Sequence, residues 1–406
     1  MTAFLDAQQA AQKLGVSRQT LYAYVSRGLL SASPDPAARR SLYPAAQVER
    51  LLTQRARGRR PGQAVQAALD WGLPVMPSEL TLIEEGILYY RGKPALELAR
   101  TETLEQVACL LWRCEFAEAF GAEAPLLPAG WREQVRRLQS LPGPQRLLAL
   151  FTMLQAHQFA PLARGNQGRV PAVCGALLRL MTAAVTGGAA GELPVHQQLA
   201  AHWQLDDAGS ERIRQALVLC ADHELNASSF TARCVASTGA DLGAVVTGGL
   251  AALSGGWHGG MTARVEALLD ELVGTRSFRA TLRARLARDP YMPGFGHQLY
   301  PSGDPRGQAL LRGLKIEPVI AHLITRVREL TGLAPSLDIG LVALRRSLGL
   351  PVGSAFEVFA IGRSVGWLAH ALEQRELRQL IRPRAAYVGP RPAAPAPPPG
   401  RVVRAR

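Results

Sequence analysis

Residues 221–260 read ADHELNASSFTARCVASTGADLGAVVTGGLAALSGGWHGG, and the parsing of this stretch decides the fold. Within it, ADLGAVVTGGLAAL repeats apolar residues at three- and four-residue intervals, which places them along one side of an α-helix. Two histidines near its ends sit in other surroundings. His223 lies between Asp222 and Glu224, and His258 lies inside Gly-Gly-Trp-His-Gly-Gly. Glycines around a histidine free it from helical geometry and let the backbone approach a ligand closely. The stretch therefore predicts helices joined by loops that carry chemistry.

The same periodicity continues outward in both directions. TETLEQVACLLW (101–112) and ARVEALLDELV (263–273) show it clearly, with Gly, Pro and Asp/Ser breaks between such runs. The pattern is helical almost throughout from Ala64 to Arg378. Strand-like alternation is scarce, and GILYYRGKPA (86–95) is the best candidate for a small hairpin. The body is predicted to be all-α.

Further chemistry-bearing residues lie along it. His297 follows Pro293-Gly294-Phe295-Gly296, another glycine-framed histidine. Pro-Ser-Leu-Asp-Ile (335–339) puts a lone carboxylate, Asp338, before an apolar helix, where a plain N-cap is the competing reading. Arg306 follows Asp-Pro, and Arg382 and Arg384 share an IRPR segment. Arg363 lies in an apolar helical run, where an unpaired guanidinium is costly and calls for an anionic partner, protein or ligand. Arginines that converge suit a di- or tricarboxylate, since each can grip a carboxylate with two N–H groups. His370, on a regular helix, reads as a core residue. The five cysteines (109, 114, 174, 220 and 234) show no zinc spacing and read as small buried hydrophobes.

Composition sets the frame. The chain has 406 residues, 48% apolar and 6% aromatic, enough for two or three domains with a large core. No apolar run reaches the ~18 residues of a membrane helix, and the first residues lack a basic start followed by an apolar stretch. No membrane association and a cytoplasmic location are expected. The formal charge of +14 is uneven: residues 1–60 carry a net +7, residues 382–406 a net +6, and residues 61–381 about +1. Basic ends attract polyanions, although arginine also replaces lysine throughout, with only Lys13, Lys93 and Lys315 present.

The N-terminal end reads as a separate module, residues 1–55. A helix from Asp6 to Leu14, a Gly15-Val16 turn and a second helix from Arg18 to Arg27 capped by Ser17 make a helix-turn-helix layout. A basic turn-rich stretch and a short helix, Ala45 to Leu52, follow. AAQKLGVSRQTLYAYVSRGLL (10–30), Arg39-Arg40 and SLYPAAQVERLL (41–52) together resemble a MerR- or excisionase-type winged helix-turn-helix. That resemblance makes Arg18, Gln19, Tyr22 and Tyr24 candidate DNA contacts and puts Arg39 and Arg40 in the wing. A module used only for protein contacts is the alternative. Residues 56–63 read as a linker, and the Pro/Arg-rich 391–406 as a disordered tail.

Six ordered segments of the body resemble the citrate synthase family: LTLIEEGILYYRGKPALELA (80–99), the opening stretch, MPGFGHQLYPSGDPR (292–306), PSLDIGLVAL (335–344), FEVFAIGRSVGWLAHALEQ (356–374) and LIRPRAAYVGP (380–390). The resemblance covers roughly residues 72–390. It implies an all-α citrate-synthase fold over 64–390, with a large domain (64–260 and 351–390) and a small domain (about 261–350) that closes over the cleft. It implies condensation of acetyl-CoA with oxaloacetate, or of propionyl-CoA in a 2-methylcitrate synthase. A metabolite-sensing DNA-binding regulator built on the same body is the other alternative.

By motif, His258 resembles the donor to the thioester oxygen, Asp338 the base and His297 the group that polarises the ketone. His223, Arg306 and Arg363 resemble carboxylate ligands, and Phe359 an aromatic near the site. Arg382 resembles an arginine donated across a homodimer, and Pro293, Gly294, Phe295 and Gly296 a CoA-contacting loop. No metal or other cofactor is expected beyond the CoA thioester substrate. Some positions depart from the family pattern. Gln298 and Pro301 stand where basic residues are usual, Ser254-Gly255-Gly256-Trp257 replaces a lysine-bearing loop, and Ser336 and Ile339 flank Asp338 in place of Asn and Phe. These departures bear on CoA phosphate contacts and acyl preference, and Trp257 could reshape the thioester pocket.

Overall fold

In the computed structural model, residues 4–14, 16–26, 30, 32–34, 41–45, 47–48, 76–164, 169–273, 275, 277–289, 291–385 and 387–390 are described. The chain divides into two compact units, one of residues 1–77 with 383–406 and one of residues 78–382.

In the first unit, the strand Phe4–Asp6 leads into the helix Ala7–Leu14, and Arg18–Ser26 follows. Asp6, expected inside the first helix, caps it instead: its Oδ1 accepts from the Gln8 and Gln9 amides at 2.9 and 2.8 Å. Ser17 caps the second helix by accepting from Thr20 N at 3.2 Å. The strand Ser41–Pro44 pairs antiparallel with Phe4–Asp6 on one side and Ser33–Pro34 on the other. Ala10, Ala11, Leu14, Leu21, Leu30, Tyr43 and Val48 form a core of their own. Of the predicted helix 45–52, residues 45, 47 and 48 are described as helical, and the rest lies outside the described residues with the 56–63 linker and the 391–406 tail.

The second unit opens with strands Thr81–Glu84, Ile87–Tyr90 and Lys93–Pro94. The predicted hairpin at 86–95 is thus a three-stranded sheet that starts at Thr81. Glu85 and Gly86 both have positive φ, 52° and 79°, as a two-residue hairpin turn demands. Helices occupy most of the remainder.

The helix Ser354–Leu377 is buried along most of its length and passes through the core. Ala227–Ser237, Asp207–Cys220 and Leu242–Leu253 pack around it, and the polar residues it buries, Arg363, His370 and Gln374 among them, meet partners there. Glycines set the approach. A Cβ on Gly366 would lie 2.4 Å from Ala221 O, and one on Gly249 would lie 2.5 Å from the Trp367 ring. Arg233, fully buried on Ala227–Ser237, donates to Gln374 Oε1 and Glu373 Oε2, each at 2.7 Å.

Helices Met261–Val273, Pro305–Leu311, Pro318–Thr331 and Leu337–Ser347 pack together. Arg346 ties three of them by donating to Glu266 Oε2, Glu317 Oε2 and Asp270 Oδ1 at 2.8, 3.2 and 2.6 Å. Among the cysteines, 174 and 220 are buried, as expected. Cys109, Cys114 and Cys234 are only half-buried, and Cys114 lies beyond a helix end because Arg113 turns the chain left-handed at φ 56°.

Candidate active site

The loop after Asp207–Cys220 turns three groups toward one another. Arg363 Nε donates to Cys220 O at 2.8 Å, and Gly366 N donates to Ala221 O at 3.0 Å, so the helix Ser354–Leu377 is pinned to this loop. Arg363 is 1% exposed, yet its Nη2 is buried without a hydrogen-bond partner. Burial pulls its pKa below the usual guanidinium value. The buried Asp222, whose negative charge opposes that shift, accepts from Thr81 Oγ1 at 2.5 Å. The His370 Nε2 lies 3.3 Å from Asp222 Oδ1, an electrostatic contact without hydrogen-bond geometry. His370 is thus a core residue as read, but one set against a buried carboxylate.

His223 meets two residues of the loop that follows the PGFG segment. Its Nε2 lies 3.0 Å from the Tyr300 hydroxyl, and its ring centroid lies 5.0 Å from that of His297 in an edge-on arrangement. His297 and Tyr300 rings are also 5.0 Å apart. Burial, with Arg306 next, pushes both imidazoles down, His223 well below its ordinary value and His297 to about 4. Both are neutral at physiological pH. Leu299 N donates to His297 Nδ1 at 3.2 Å, so the neutral ring carries its proton on Nε2 and can donate there.

Arg306 is clasped by Asp304, with Nε to Oδ1 at 3.0 Å and Nη2 to Oδ2 at 2.8 Å. Burial opposes its charge, but Asp304 outweighs this and holds the guanidinium above its usual value. Asp304 Oδ2 also accepts from Leu337 N at 3.1 Å, joining this arginine to the start of Leu337–Ser347.

Asp338 lies in the first turn of that helix, one residue inside it. The cap is Ser336, so the N-cap reading of Asp338 is not realised. Ser336 Oγ donates to Asp338 Oδ2 at 3.0 Å, and Oδ1 is buried with no partner. A helix N-terminus favours a carboxylate, yet burial dominates and raises this pKa to about 6. Gly294 O accepts from Ser336 N at 2.8 Å and Gly296 N donates to Ala334 O at 2.9 Å, so the PGFG loop is joined to the residues before Asp338. Phe295 N is also spent, on Met292 O at 3.1 Å.

His258 is half-buried in the loop before Met261–Val273. Its ring meets Phe359 edge-on at 6.0 Å, and Arg363 lies 5.0 Å from the Phe359 centroid on its guanidinium carbon. Its Nε2 is 2.8 Å from Ser228 Oγ and 3.2 Å from Asn226 Oδ1. Trp367 Nε1 can only donate, and it donates to Ser228 Oγ at 3.0 Å. Asn226 Oδ1 already accepts from the Ser228 and Ser229 amides. Ser228 Oγ also donates toward Asn226 Oδ1 at 2.9 Å, so its one proton has two acceptors in reach; when it goes to His258 Nε2, the imidazole keeps its own proton on Nδ1 as a donor. Burial, with Arg363 and Arg306 next, lowers its pKa to about 3, so it donates as a neutral ring.

Direct contacts thus join His223, His297, Tyr300 and Arg306 in one group and His258, Phe359 and Arg363 in another, while Asp304 ties Arg306 to the start of the helix that carries Asp338. Arg382 is exposed and makes no hydrogen bond or ion pair among the described residues. Trp257 is 76% exposed, its ring against Tyr291 and Arg264. Sequence reasoning missed Ser228, Tyr300, Asp304, Ser336 and Trp367. Asp304 left a trace as the acid two residues before Arg306, and Ser336 as the residue standing for Asn before Asp338. In the N-terminal unit, Gln19 and Tyr22 are exposed, whereas Tyr24 is half-buried against the core. The side chain of Arg18 and residues Arg39 and Arg40 lie outside the described residues.

Residues 68–384 match the family described as citrate synthase, C-terminal domain, and residues 4–56 match a helix-turn-helix domain. Citrate synthase 2 of Bacillus subtilis is 37% identical over 190 residues, 44% of this chain and 51% of its own. The chain spans about half the length of several of the curated relatives it matches. A 2-methylcitrate synthase of Mycobacterium tuberculosis is 30% identical over 74% of this chain and 84% of its own. The crystal structure of citrate synthase from Thermotoga maritima superimposes with a TM-score of 0.65 at 25% identity, covering 80% of this chain and 96% of the other.

Proposed function

The chain belongs to the citrate synthase family, and from that premise we propose that it condenses acetyl-CoA with oxaloacetate and water to give citrate and free CoA. The observation that carries the proposal is Asp338: a buried carboxylate whose Oδ1 has no partner and whose pKa is raised to about 6. A base in that state is ionised at neutral pH yet holds a proton better than a solvated aspartate.

A proton alpha to a thioester is far too weakly acidic for a carboxylate alone. A preorganised donor on the carbonyl oxygen must stabilise the developing enolate, and such a donor contributes roughly 3 kcal/mol. His258 fills that role through Nδ1–H when Ser228 turns its hydroxyl proton from Asn226 Oδ1 to His258 Nε2. The enol carbon then attacks the oxoacid ketone, and His297 Nε2–H supports the oxygen as it gains charge. Water hydrolyses the resulting thioester and releases CoA. Arg363 Nη2, His223 and the remaining donors of Arg306 hold the carboxylates, which supplies the buried guanidinium with its anionic partner. Phe359 packs between His258 and Arg363 and excludes water from them.

His297 and Asp338 lie in the segment 261–350, and His223, His258 and Arg363 outside it. Movement of that segment after oxoacid binding would complete the site. The working unit is a homodimer in which the exposed Arg382 completes the clamp of a second copy.

Thiol release measured with oxaloacetate and acetyl-CoA tests the proposal, and no release by folded protein with acetyl- or propionyl-CoA would sink it. The 2-methylcitrate synthase relative favours propionyl-CoA as a second donor. One methylene in an apolar pocket changes selectivity by only ~1–3 kcal/mol, so both donors turn over and their kcat/KM ratio decides the assignment. The helix-turn-helix match supports a second role for residues 1–55, binding DNA through Arg18, Gln19, Tyr22, Tyr24, Arg39 and Arg40.

A further inference from the structure

Next to His258 the chain displays an aromatic side chain in solvent. Trp257 is 76% exposed. Its ring meets Tyr291 edge-on at 5.0 Å, and the Arg264 guanidinium lies 4.6 Å from the Trp257 centroid and 5.1 Å from that of Tyr291. Arg264 belongs to Met261–Val273 and pairs with no carboxylate among the described residues. Its ring contacts leave the in-plane N–H groups available to an anion. The cluster adjoins one reacting group in the chain: Trp257 directly precedes His258, and the Tyr291 hydroxyl donates to Met261 Sδ, three residues after it, at 3.5 Å.

The neighbouring loops leave a need that this cluster meets. In the PGFG loop, Phe295 N and Gly296 N are spent internally and Pro293 has none, so those three positions offer an anionic carrier no amide donor. Gln298 and Pro301 bring no charge.

We propose that Trp257 and Arg264 receive the nucleotide end of the acyl carrier, the indole stacking on the purine and the guanidinium binding a phosphate. The inference rests on the CoA-thioester reading above and names the residues that set its carrier specificity. An open indole face suits a purine, because every base offers a π-face whatever its edge. The adjacent guanidinium suits a phosphate, with planar N–H pairs matched to its oxygens.

The experiment compares full-length wild type with Trp257→Ala, Trp257→Phe and Arg264→Gln. Binding of adenosine 3′,5′-bisphosphate is followed by tryptophan fluorescence and calorimetry, and turnover by thiol release from acetyl-CoA and from acetyl-pantetheine, which lacks the nucleotide. Trp257→Ala is expected to weaken bisphosphate binding roughly ten- to a hundred-fold and to lower the kcat/KM ratio of acetyl-CoA over acetyl-pantetheine by a similar factor. Trp257→Phe should keep much of both, and Arg264→Gln should flatten the salt dependence of binding. Equal losses with the two thioesters, or an unchanged ratio, overturn the proposal. So does a change confined to the sedimentation of the protein, which would mean that another chain covers Trp257. Wild type that binds the bisphosphate at Trp257 without thiol release sinks the enzyme reading and leaves the nucleotide site. Wild type that turns over normally while Trp257→Ala keeps its ratio sinks the nucleotide site alone.

Discussion

Asp338 combines two demands that oppose each other. Its carboxylate is useful as a base because it is buried, and burial makes its charge costly in the folded state. With a folded pKa of about 6, above its ordinary value of 3.8, the protonated form is favoured by folding. Its contribution to stability is full below the unfolded pKa and is lost as pH rises through about 6. Asp338→Asn should therefore be more stable than wild type at pH 7–8, by about 2 kcal/mol, with the difference gone below about pH 4, as thermal melts across pH will read. The same variant should lose at least ~1,000-fold in kcat while oxaloacetate binding by calorimetry stays within a few-fold. A full rate would remove Asp338 from the chemistry.

Wild-type kcat should fall as pH drops below about 6 with one ionisation. That limb cannot come from His258 or His297, held near 3 and 4, and their ring signals in NMR should not titrate between pH 5 and 8. Tyr300 is the residue to test beside them. Tyr300→Phe removes the hydroxyl from His223 Nε2, and the KM for oxaloacetate should rise about ten-fold, as expected for one lost bond to a buried ligand group. An unchanged KM would make the tyrosine a packing residue. At this scale the sequence singled out polar groups framed by glycine or an acid, as at His258 and His297. It was silent at Ser228 and Tyr300, because a hydroxyl reaching across 30 or 77 positions leaves no local spacing.

Elements act here by how closely they approach. The helix Ser354–Leu377 brings Arg363 to Cys220 O because Gly362 and Gly366 let its backbone press on the end of Asp207–Cys220 and the loop after it. A Cβ at Gly366 would sit 2.4 Å from both Ala221 O and Asp222 Oδ1, and neither neighbour is the free end of a flexible chain. Gly366→Ala should gain about 1 kcal/mol of helix propensity and lose more, roughly 3 kcal/mol, to overpacking. The net is a lower urea midpoint and, where the protein folds, weaker oxaloacetate binding as Arg363 and His223 separate. A Gly366→Ala protein of wild-type midpoint and affinity would mean that the contact yields at no cost. The helices themselves were legible from period alone, since apolar residues recur every three or four positions. The first sheet was read too short. Thr81–Glu84 alternates over only four residues, and its Glu85-Gly86 turn needs positive φ at a glutamate, which sequence does not announce.

On the scale of the whole chain, two units with separate cores carry different charge. Residues 1–77 with 383–406 hold a net +11, and residues 78–382 a net +3. The family matches, 4–56 and 68–384, also divide the chain into a short N-terminal part and a long body. A polyanion is drawn to the first unit and a dicarboxylate to the second, so the two activities should separate cleanly. Binding of the full chain to duplex DNA should weaken with salt at a logarithmic slope of roughly −3 to −4 per module, the release expected when three or four of its arginines and lysines neutralise phosphates. Deleting residues 1–55 should abolish that binding and leave kcat/KM for oxaloacetate within about two-fold. DNA retention that survives the deletion would assign the binding to the arginines of 382–406 instead. Loss of turnover on deletion would show that the module holds the enzyme together rather than addressing nucleic acid. The direction of coupling is testable in the same assay: oxaloacetate that closes the body unit without touching the module leaves the DNA affinity unchanged, because a ligand shifts only an equilibrium whose two states it binds differently.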